Sequence, residues 1–136
     1  MSTLRSTTLS VTIGRPWQEV YGYAADPANM PHWAAGLGSD FEQKGDLWVF
    51  RDSGGNTAHV RFTPANPFGV LDHDVFPAGQ DPVHVAMRVM PNADGAVVTF
   101  LLVALPGMTD AEYDRDAAAV MADLRKLKAI MEAPAR

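Results

Sequence analysis

The side chain with the most direct capacity for chemistry in this sequence is His73. In the alternating pattern of residues 70–76 it falls on the same side as Leu71 and Val75, so an imidazole stands among apolar neighbours. One interpretation is a core histidine satisfied by a single hydrogen bond. The other is a cavity histidine that donates to a ligand carbonyl or acts as a general acid or base. Burial would keep the ring neutral at pH 7, which suits the second role.

Aromatic and polar side chains that could accompany this histidine come mainly from the first half of the chain. Met30 and Trp33 lie where a predicted short helix meets a glycine-containing stretch, residues 34–38. Trp33 either closes one end of the core or contacts a ligand through its ring and its N–H. Tyr21 and Arg51 are candidates because each could direct a polar group into an enclosed space. The other predicted ligand contacts are Leu71, Val75, Met87, Phe100, Val120, Met121 and Leu124.

Motifs for metal, nucleotide and nucleophile chemistry are absent from the sequence. Three of the four histidines fall on successive predicted strands, but alternation separates His73 from His59 and His84, and no His-Glu-x-x-His string occurs. There is no Gly-x-Gly-x-x-Gly or P-loop string and no Gly-x-Ser-x-Gly elbow. The absence of cysteine removes disulfides, thiolate catalysis and cysteine-ligated metals. We therefore expect neither a metal nor another cofactor.

Size and charge predict one domain, residues 1–136, without a nucleic-acid partner. The net charge of −5 opposes the clustered Lys and Arg that nucleic-acid binding needs. No run of 18 apolar residues predicts a membrane span, and the first residues lack the apolar core of a secretory signal. We expect a cytoplasmic protein whose partner is a small hydrophobic or aromatic ligand, and a homodimer is compatible with the sequence.

Hydrophobic periodicity predicts an α+β fold. Seven segments alternate with period two, and the short turns between successive segments favour antiparallel pairing. Two short helices follow the first strand, one at residues 16–25 and another that Asp26 and Pro27 open. The predicted strands are residues 7–13, 39–44, 47–52, 57–62, 70–76, 83–90 and 96–105.

A long helix is predicted at residues 109–132. Thr109 and Glu112 have the spacing of a capping box. Its apolar stripe consists of Tyr113, Ala117, Val120, Leu124, Leu127 and Met131. Charged residues that include Asp116 and Asp123 are assigned to the opposite side. Because nearly everything before this helix is predicted as strand, the stripe must lie on a sheet, and we expect helix and sheet to leave a cavity between them.

Charged side chains of three neighbouring predicted strands share the side opposite His73. They are Arg61, Asp72, Asp74, His84 and Arg88. We interpret them as a cross-strand charge ladder in which each pair contributes about 0.2–1 kcal/mol. The last predicted strand carries apolar residues on both sides, so alternation does not assign its inner face.

The order of elements and three stretches of the chain resemble the START-like superfamily, also called SRPBCC. Residues 11–33 contain an opening strand, a helix and an Asp-Pro…Pro-x-Trp segment like those of the family. Residues 66–75, Asn-Pro-Phe-Gly-Val-Leu-Asp-His-Asp-Val, are similar to a strand of bacterial polyketide-cyclase-like members, and the third stretch is the terminal helix. The resemblance covers the whole chain. It implies a helix-grip fold, a curved seven-stranded antiparallel sheet with a long C-terminal helix across it, and a cavity mouth near His32 and Trp33.

This superfamily contains polyketide cyclases, lipid-transfer domains and chaperone cofactors, so the resemblance implies a fold more than an activity. Our main expectation is the binding of a small apolar or amphipathic ligand in a cavity between sheet and terminal helix. The alternative is a polyketide cyclase/dehydratase-type enzyme that uses His73 as acid or base. A protein-interaction module would need an exposed apolar patch, which the sequence does not predict.

Overall fold

The computed structural model describes residues 2–34 and 38–134. The strands in this part of the chain are β1 Ser6–Ile13, β2 Ser39–Lys44, β3 Leu47–Arg51, β4 Thr57–Phe62, β5 His73–Phe76, β6 Val83–Asn92 and β7 Gly95–Val103. They form one antiparallel sheet in the order β1-β7-β6-β5-β4-β3-β2. The helices are α1 Trp17–Ala24, α2 Met30–Trp33 and α3 Asp110–Glu132, and a 3₁₀ turn, Pro27–Asn29, precedes α2.

The predicted fold class is confirmed: a curved seven-stranded antiparallel sheet carries two short helices after β1 and a long C-terminal helix. Pro16 stands just outside α1 as its N-terminal flanking residue, rather than inside the helix as predicted. Asp26 caps the next turn, because its Oδ1 accepts a hydrogen bond from the N–H of Ala28 at 3.0 Å. Within the glycine-containing stretch predicted at 34–38, residues 35–37 lie outside the described residues.

The largest difference from the predicted elements is at β5, which begins at His73 instead of extending over residues 70–76. In a regular antiparallel pair, Leu71 and Met87 would exchange two backbone hydrogen bonds. Leu71 N–H does donate to the Met87 carbonyl at 2.9 Å, but Met87 N–H donates to Oδ1 of Asp72, also at 2.9 Å. A carboxylate therefore replaces a backbone carbonyl at this point, and the regular strand starts only after it.

The main core lies between the helices and one face of the sheet. Its fully buried side chains include Ile13, Val20, Val89, Val98, Leu124 and Leu127. A smaller buried cluster of Phe50, Ala58 and Val60 lies toward the β2 edge. The structure also assigns the inner face of β7, since Ala96 and Val98 are buried whereas Leu101 and Val103 are exposed on the other face.

The N-terminal end of α3 is fixed both to its own cap and to the sheet. Glu112 N–H donates to Thr109 Oγ1 at 3.1 Å, and Thr109 N–H donates to Glu112 Oε1 at 3.0 Å, so the predicted capping box is confirmed. One turn later Tyr113 is buried, and its hydroxyl lies 2.8 Å from Thr7 Oγ1 on β1 and 3.2 Å from the Leu102 carbonyl oxygen. This end of the helix therefore lies firmly against β1 and β7.

The C-terminal end of α3 is fixed to the same edge strand. The Lys128 ammonium donates to the carbonyl of Thr12 at 2.6 Å. Glu132 Oε2 accepts from the N–H of Gly14 at 2.7 Å and lies 2.7 Å from Lys128 Nζ. These bonds occupy backbone groups at the exposed edge of the sheet, which would otherwise be open to pairing with another strand. Both ends of the long helix are thus attached to β1 and its immediate continuation.

Of the five charged side chains predicted to share the outer face of the sheet, four form two pairs across neighbouring strands. Arg88 binds Asp72 through two hydrogen bonds, Nε to Oδ1 at 3.1 Å and Nη2 to Oδ2 at 3.0 Å. His84 Nδ1 lies 2.7 Å from Asp74 Oδ1. Arg61 instead approaches an aspartate of the β2–β3 turn. The Arg88 guanidinium holds the pKa of Asp72 below its usual value, which keeps the carboxylate ionised where it replaces a strand carbonyl.

We expect Asp72→Ala to lower the free energy of unfolding by about 1–3 kcal/mol, because it leaves the N–H of Met87 unpaired and removes both acceptors of Arg88. Asp74→Ala is the matched change two residues later on the same face of the sheet, and its contact with the exposed His84 should be worth about 1 kcal/mol or less. Urea denaturation of both variants at neutral pH measures the difference. Equal losses would contradict the role assigned to Asp72.

Candidate ligand cavity

A cavity of about 200 Å³ lies between α2, the middle of α3 and the inner faces of β5, β6 and β7. Most of its surroundings are apolar, and the polar exceptions are one histidine, one tryptophan and two aspartates. The lining residues are Met30, Trp33, Ala34, His73, Val75, Val85, Met87, Phe100, Leu102, Asp116, Ala119, Val120, Asp123 and Leu124. Helix and sheet therefore leave a space between them at the place where the sequence leads us to expect one.

Short side chains border the space along the middle turns of α3. Tyr113 at the beginning of the helix and Leu124 and Leu127 further along are buried. Between these contacts, Ala119 and Val120 face the cavity. Because both ends of the helix are attached to β1, side chains this small leave the gap to the opposite strands unfilled.

The sheet wall of the cavity is built by inward positions of three adjacent strands. Val75 comes from β5, Val85 and Met87 from β6, and Phe100 and Leu102 from β7. Met87 and Phe100 are directly opposite each other in the β6–β7 ladder. The period-two alternation of each strand places these side chains on one face. The wall is therefore a continuous apolar surface on which an aromatic or aliphatic ligand would pack.

His73 lines this cavity at the start of β5, and its ring centroid lies 5.7 Å from that of Phe62 on β4. Its Nδ1 is 2.9 Å from the carbonyl oxygen of Leu71. Since a carbonyl can only accept, Nδ1 carries the proton in this contact and Nε2 of the neutral ring is an acceptor. Burial lowers the pKa of His73, against the opposing effect of the Leu71 hydrogen bond, so the neutral form is favoured at pH 7.

Asp72 makes this tautomer available from the other face of the sheet. Because Met87 N–H donates to the Asp72 carboxylate, the carbonyl of Leu71 does not receive that strand hydrogen bond. The same carbonyl receives His73 Nδ1–H instead. At the irregular start of β5, the Leu71 carbonyl therefore lacks its usual strand hydrogen bond and instead accepts the hydrogen bond that orients the His73 imidazole.

Trp33 closes the α2 side of the cavity. The residue is only 6% exposed, and its indole Nε1 has no hydrogen-bond partner among the residues that the structure describes. The short α2 that carries it is preceded by the turn that Asp26 caps. A buried donor without an acceptor is unfavourable, and buried polar atoms in folded proteins are usually paired. The ring that carries this unpaired donor lines the cavity.

Two carboxylates of α3 also border the cavity. Asp116 is exposed, and Asp123 is partly buried. We predicted that both would lie on the side of the helix away from the sheet; Asp116 is exposed, as predicted, but both side chains also border the cavity. Their spacing in the sequence indicates a position beside the cavity. Asp116 lies four residues before Val120 and Asp123 three residues after it, so all three share one helix face.

The structure places most of the predicted ligand contacts around this cavity and four of them elsewhere. Tyr21 accepts a hydrogen bond at its hydroxyl from the N–H of Asn66, at 2.9 Å. Arg51 is exposed on β3, and its Nε lies 3.8 Å from an Asp40 carboxylate oxygen. Leu71 and Met121 pack against the main core. The residues that do line the cavity are Met30, Trp33, His73, Val75, Met87, Phe100, Val120 and Leu124.

The sequence analysis missed six lining residues: Ala34, Val85, Leu102, Asp116, Ala119 and Asp123. Val85 was assigned to the inner face of its strand but was not singled out from the core. Leu102 was missed because β7 is apolar on both faces, so its alternation carried no information. Among residues 2–34 and 38–134, no three His, Asp or Glu side chains are grouped as metal ligands.

An α+β helix-grip domain with a small apolar cavity is the class of protein that these features define. No family model and no curated protein sequence matches this chain. In the same described residues, each helix lacks the length or the apolar composition that a membrane span requires.

Solved structures with very different sequences share the fold. An uncharacterised protein from Bacillus thuringiensis superposes with a TM-score of 0.75 at 14% identity, covering 93% of this chain and 98% of that one. The Aha1 dimer from Colwellia psychrerythraea gives 0.73 at 15% identity, covering 95% and 97%. DynU16, a protein of the dynemicin biosynthetic locus, gives 0.70 at 18% identity, covering 93% of this chain and 47% of that one. Likeness at these identities establishes the fold alone.

We expect His73 to make stability depend on pH below about 6.5. Because burial depresses its folded-state pKa, the unfolded chain binds the proton first as the pH falls; the contribution is complete above about pH 6.5 and is lost below it. His73→Asn keeps a side-chain N–H near the Nδ1 position but does not titrate. Urea denaturation at about pH 7.5 and about pH 5.5 measures the free energy of unfolding of both proteins. This free energy should fall more between the two pH values in the wild type than in His73→Asn. Identical losses in both proteins would contradict a buried neutral His73.

Proposed function

We propose that the protein binds a small, largely apolar ligand in the cavity between α3 and the sheet. The observation that carries the proposal is Trp33, whose side chain lines the cavity and whose buried indole N–H has no acceptor among the described residues. A buried unsatisfied donor costs about 1–3 kcal/mol, which a ligand acceptor would offset. His73 adds a hydrogen-bond acceptor at Nε2. An apolar cavity with a few convergent polar groups is the usual composition of a small-molecule site.

The volume of the cavity limits the ligand to about one ring or a short chain. An engineered apolar cavity of about 150 Å³ in another protein binds benzene or xenon. Drug-sized ligands occupy pockets of about 300–1,000 Å³. The 200 Å³ between α3 and the sheet lies between these cases and close to the first. A long fatty acid or a fused-ring polyketide would enter only if α3 moved away from the sheet.

A single-ring hydrocarbon such as toluene should raise the melting temperature of the wild type, since a ligand at 100 times its Kd adds about 2.7 kcal/mol. Val120→Phe places a ring inside the cavity and should abolish this stabilisation. Ala118→Phe adds the same side chain at an exposed position of α3 that does not line the cavity, and it should leave the stabilisation intact. Thermal unfolding with and without toluene checks both variants. An undiminished response in Val120→Phe would show that the ligand binds elsewhere.

A second candidate function is a polyketide cyclase/dehydratase-type enzyme, in keeping with the resemblance to the START-like superfamily. The observation that favours it is a neutral His73 in the cavity lining, with Nε2 as an acceptor that could remove a proton. Cyclisation and dehydration need enclosure and one general acid or base, and no covalent nucleophile. The structural likeness to DynU16, from a biosynthetic locus, supports this hypothesis at the level of fold.

The rate at which the wild type and His73→Asn convert an aromatic carbonyl substrate distinguishes the enzyme hypothesis from the ligand-carrier hypothesis. Loss of a general base should lower kcat by about 10²–10⁴-fold while toluene still binds. Equal kcat values would remove His73 from the mechanism. Absence of turnover in the wild type, with toluene binding intact, would leave the carrier function alone.

The remaining partner predictions stay proposals. The neighbouring Aha1 structure is that of a dimer, and this likeness is what supports a homodimer here. The expectation of no nucleic-acid partner rests on the net charge of −5, and the expectation of a cytoplasmic location rests on a sequence without cysteine.

A further inference from the structure

We propose that the ligand is a neutral single-ring compound bearing a hydrogen-bond acceptor, and that carboxylates of α3 disfavour anions at the cavity. This inference rests on the proposed function and adds the chemical class of the ligand. It is carried by the unpaired donor of Trp33, by the charge of the lining residues, and by a volume of about 200 Å³.

Trp33 specifies an acceptor. An indole N–H is a donor only, so the atom that pairs with it must be a carbonyl, ether or hydroxyl oxygen or a similar acceptor. The tryptophan is 6% exposed, so bulk water has little access to the ring. A ligand without an acceptor would leave this donor buried and unpaired, and sites with an unpaired buried polar group discriminate strongly between ligands. The carbonyl oxygen of an aryl ketone is the simplest group that satisfies this condition.

The charge of the lining specifies a neutral ligand. Asp116 and Asp123 are seven residues apart on one face of α3, and both border the cavity. No Lys or Arg is among the described lining residues, and burial favours the neutral form of His73. A carboxylate ligand would therefore lose hydration without gaining a cationic partner among the described lining residues, and it would face the like charge of Asp116. Fatty acids and aryl acids are disfavoured on both counts.

Three probes of nearly the same shape test the two requirements separately. Acetophenone presents a carbonyl acceptor, α-methylstyrene replaces that oxygen with a CH₂ group, and benzoate replaces the methyl group with an anionic oxygen. Dissociation constants at low salt are measured by NMR titration. Acetophenone should bind the wild type at least about tenfold more tightly than benzoate.

Trp33→Phe and Asp116→Asn identify the groups responsible. Trp33→Phe should weaken the binding of acetophenone by about tenfold relative to that of α-methylstyrene, because only the ketone uses the N–H. Asp116→Asn should strengthen benzoate by about threefold at low salt and leave acetophenone unchanged. Asp114→Asn removes the same charge from α3 at a position that does not line the cavity, and it should change neither affinity.

The outcomes separate this inference from the function on which it rests. If none of the three probes binds, the ligand-binding function itself fails. If all three bind the wild type with the same affinity, the cavity is a binding site but the proposed ligand class is wrong. The comparison among probes in the wild type needs no variant, so poor folding of Trp33→Phe would not prevent the test. An equal effect of Asp116→Asn and Asp114→Asn on benzoate would overturn the role of the cavity carboxylates.

Discussion

The attachment of α3 to β1 at both ends is the constraint on which the rest of the structure depends. Tyr113 contacts Thr7 near the start of the helix, and Lys128 and Glu132 bind the backbone of β1 and its continuation near the end. Because α3 is attached at both ends, its middle turns must span the space between these two attachments. Its middle turns carry short side chains, so the close packing usual in protein interiors is interrupted there. The cavity therefore follows from where the helix is attached and from the size of the residues in between.

A second interaction links the two faces of the sheet. Asp72 is on the outer face with Arg88, yet its carboxylate accepts the N–H of Met87 within the ladder. This leaves the carbonyl of Leu71 to receive the proton of His73 on the inner face. The Asp72–Arg88 pair on the outer face therefore helps to fix the orientation of His73 in the cavity. Hydrogen bonds that fix a ring nitrogen are what determine the tautomer of a histidine.

The fold was predictable because its signals are local, and much of the candidate site was not. Period-two alternation placed His73 on the inner face, and the capping box at Thr109 set the start of α3. Arg51 and Tyr21 were chosen for their chemistry, and neither lines the cavity, because strand parity and loop contacts decide where such side chains end. Asp116 was assigned to the solvent side because it is charged; it is exposed, but its spacing from the apolar stripe also places it beside the cavity. Contact between distant elements, such as α3 with β1, has no local signal.

The most direct measurement is solution NMR of protein labelled at its Val and Leu methyl groups, titrated with benzene. We predict that the methyl resonances of Val120, Leu102 and Leu124 shift, since these residues line the space under α3. Val60, which is buried in the smaller cluster, serves as the internal control and should not shift. Shifts confined to exposed methyl groups, or none at all, would show that the middle of α3 packs against the sheet without a usable cavity.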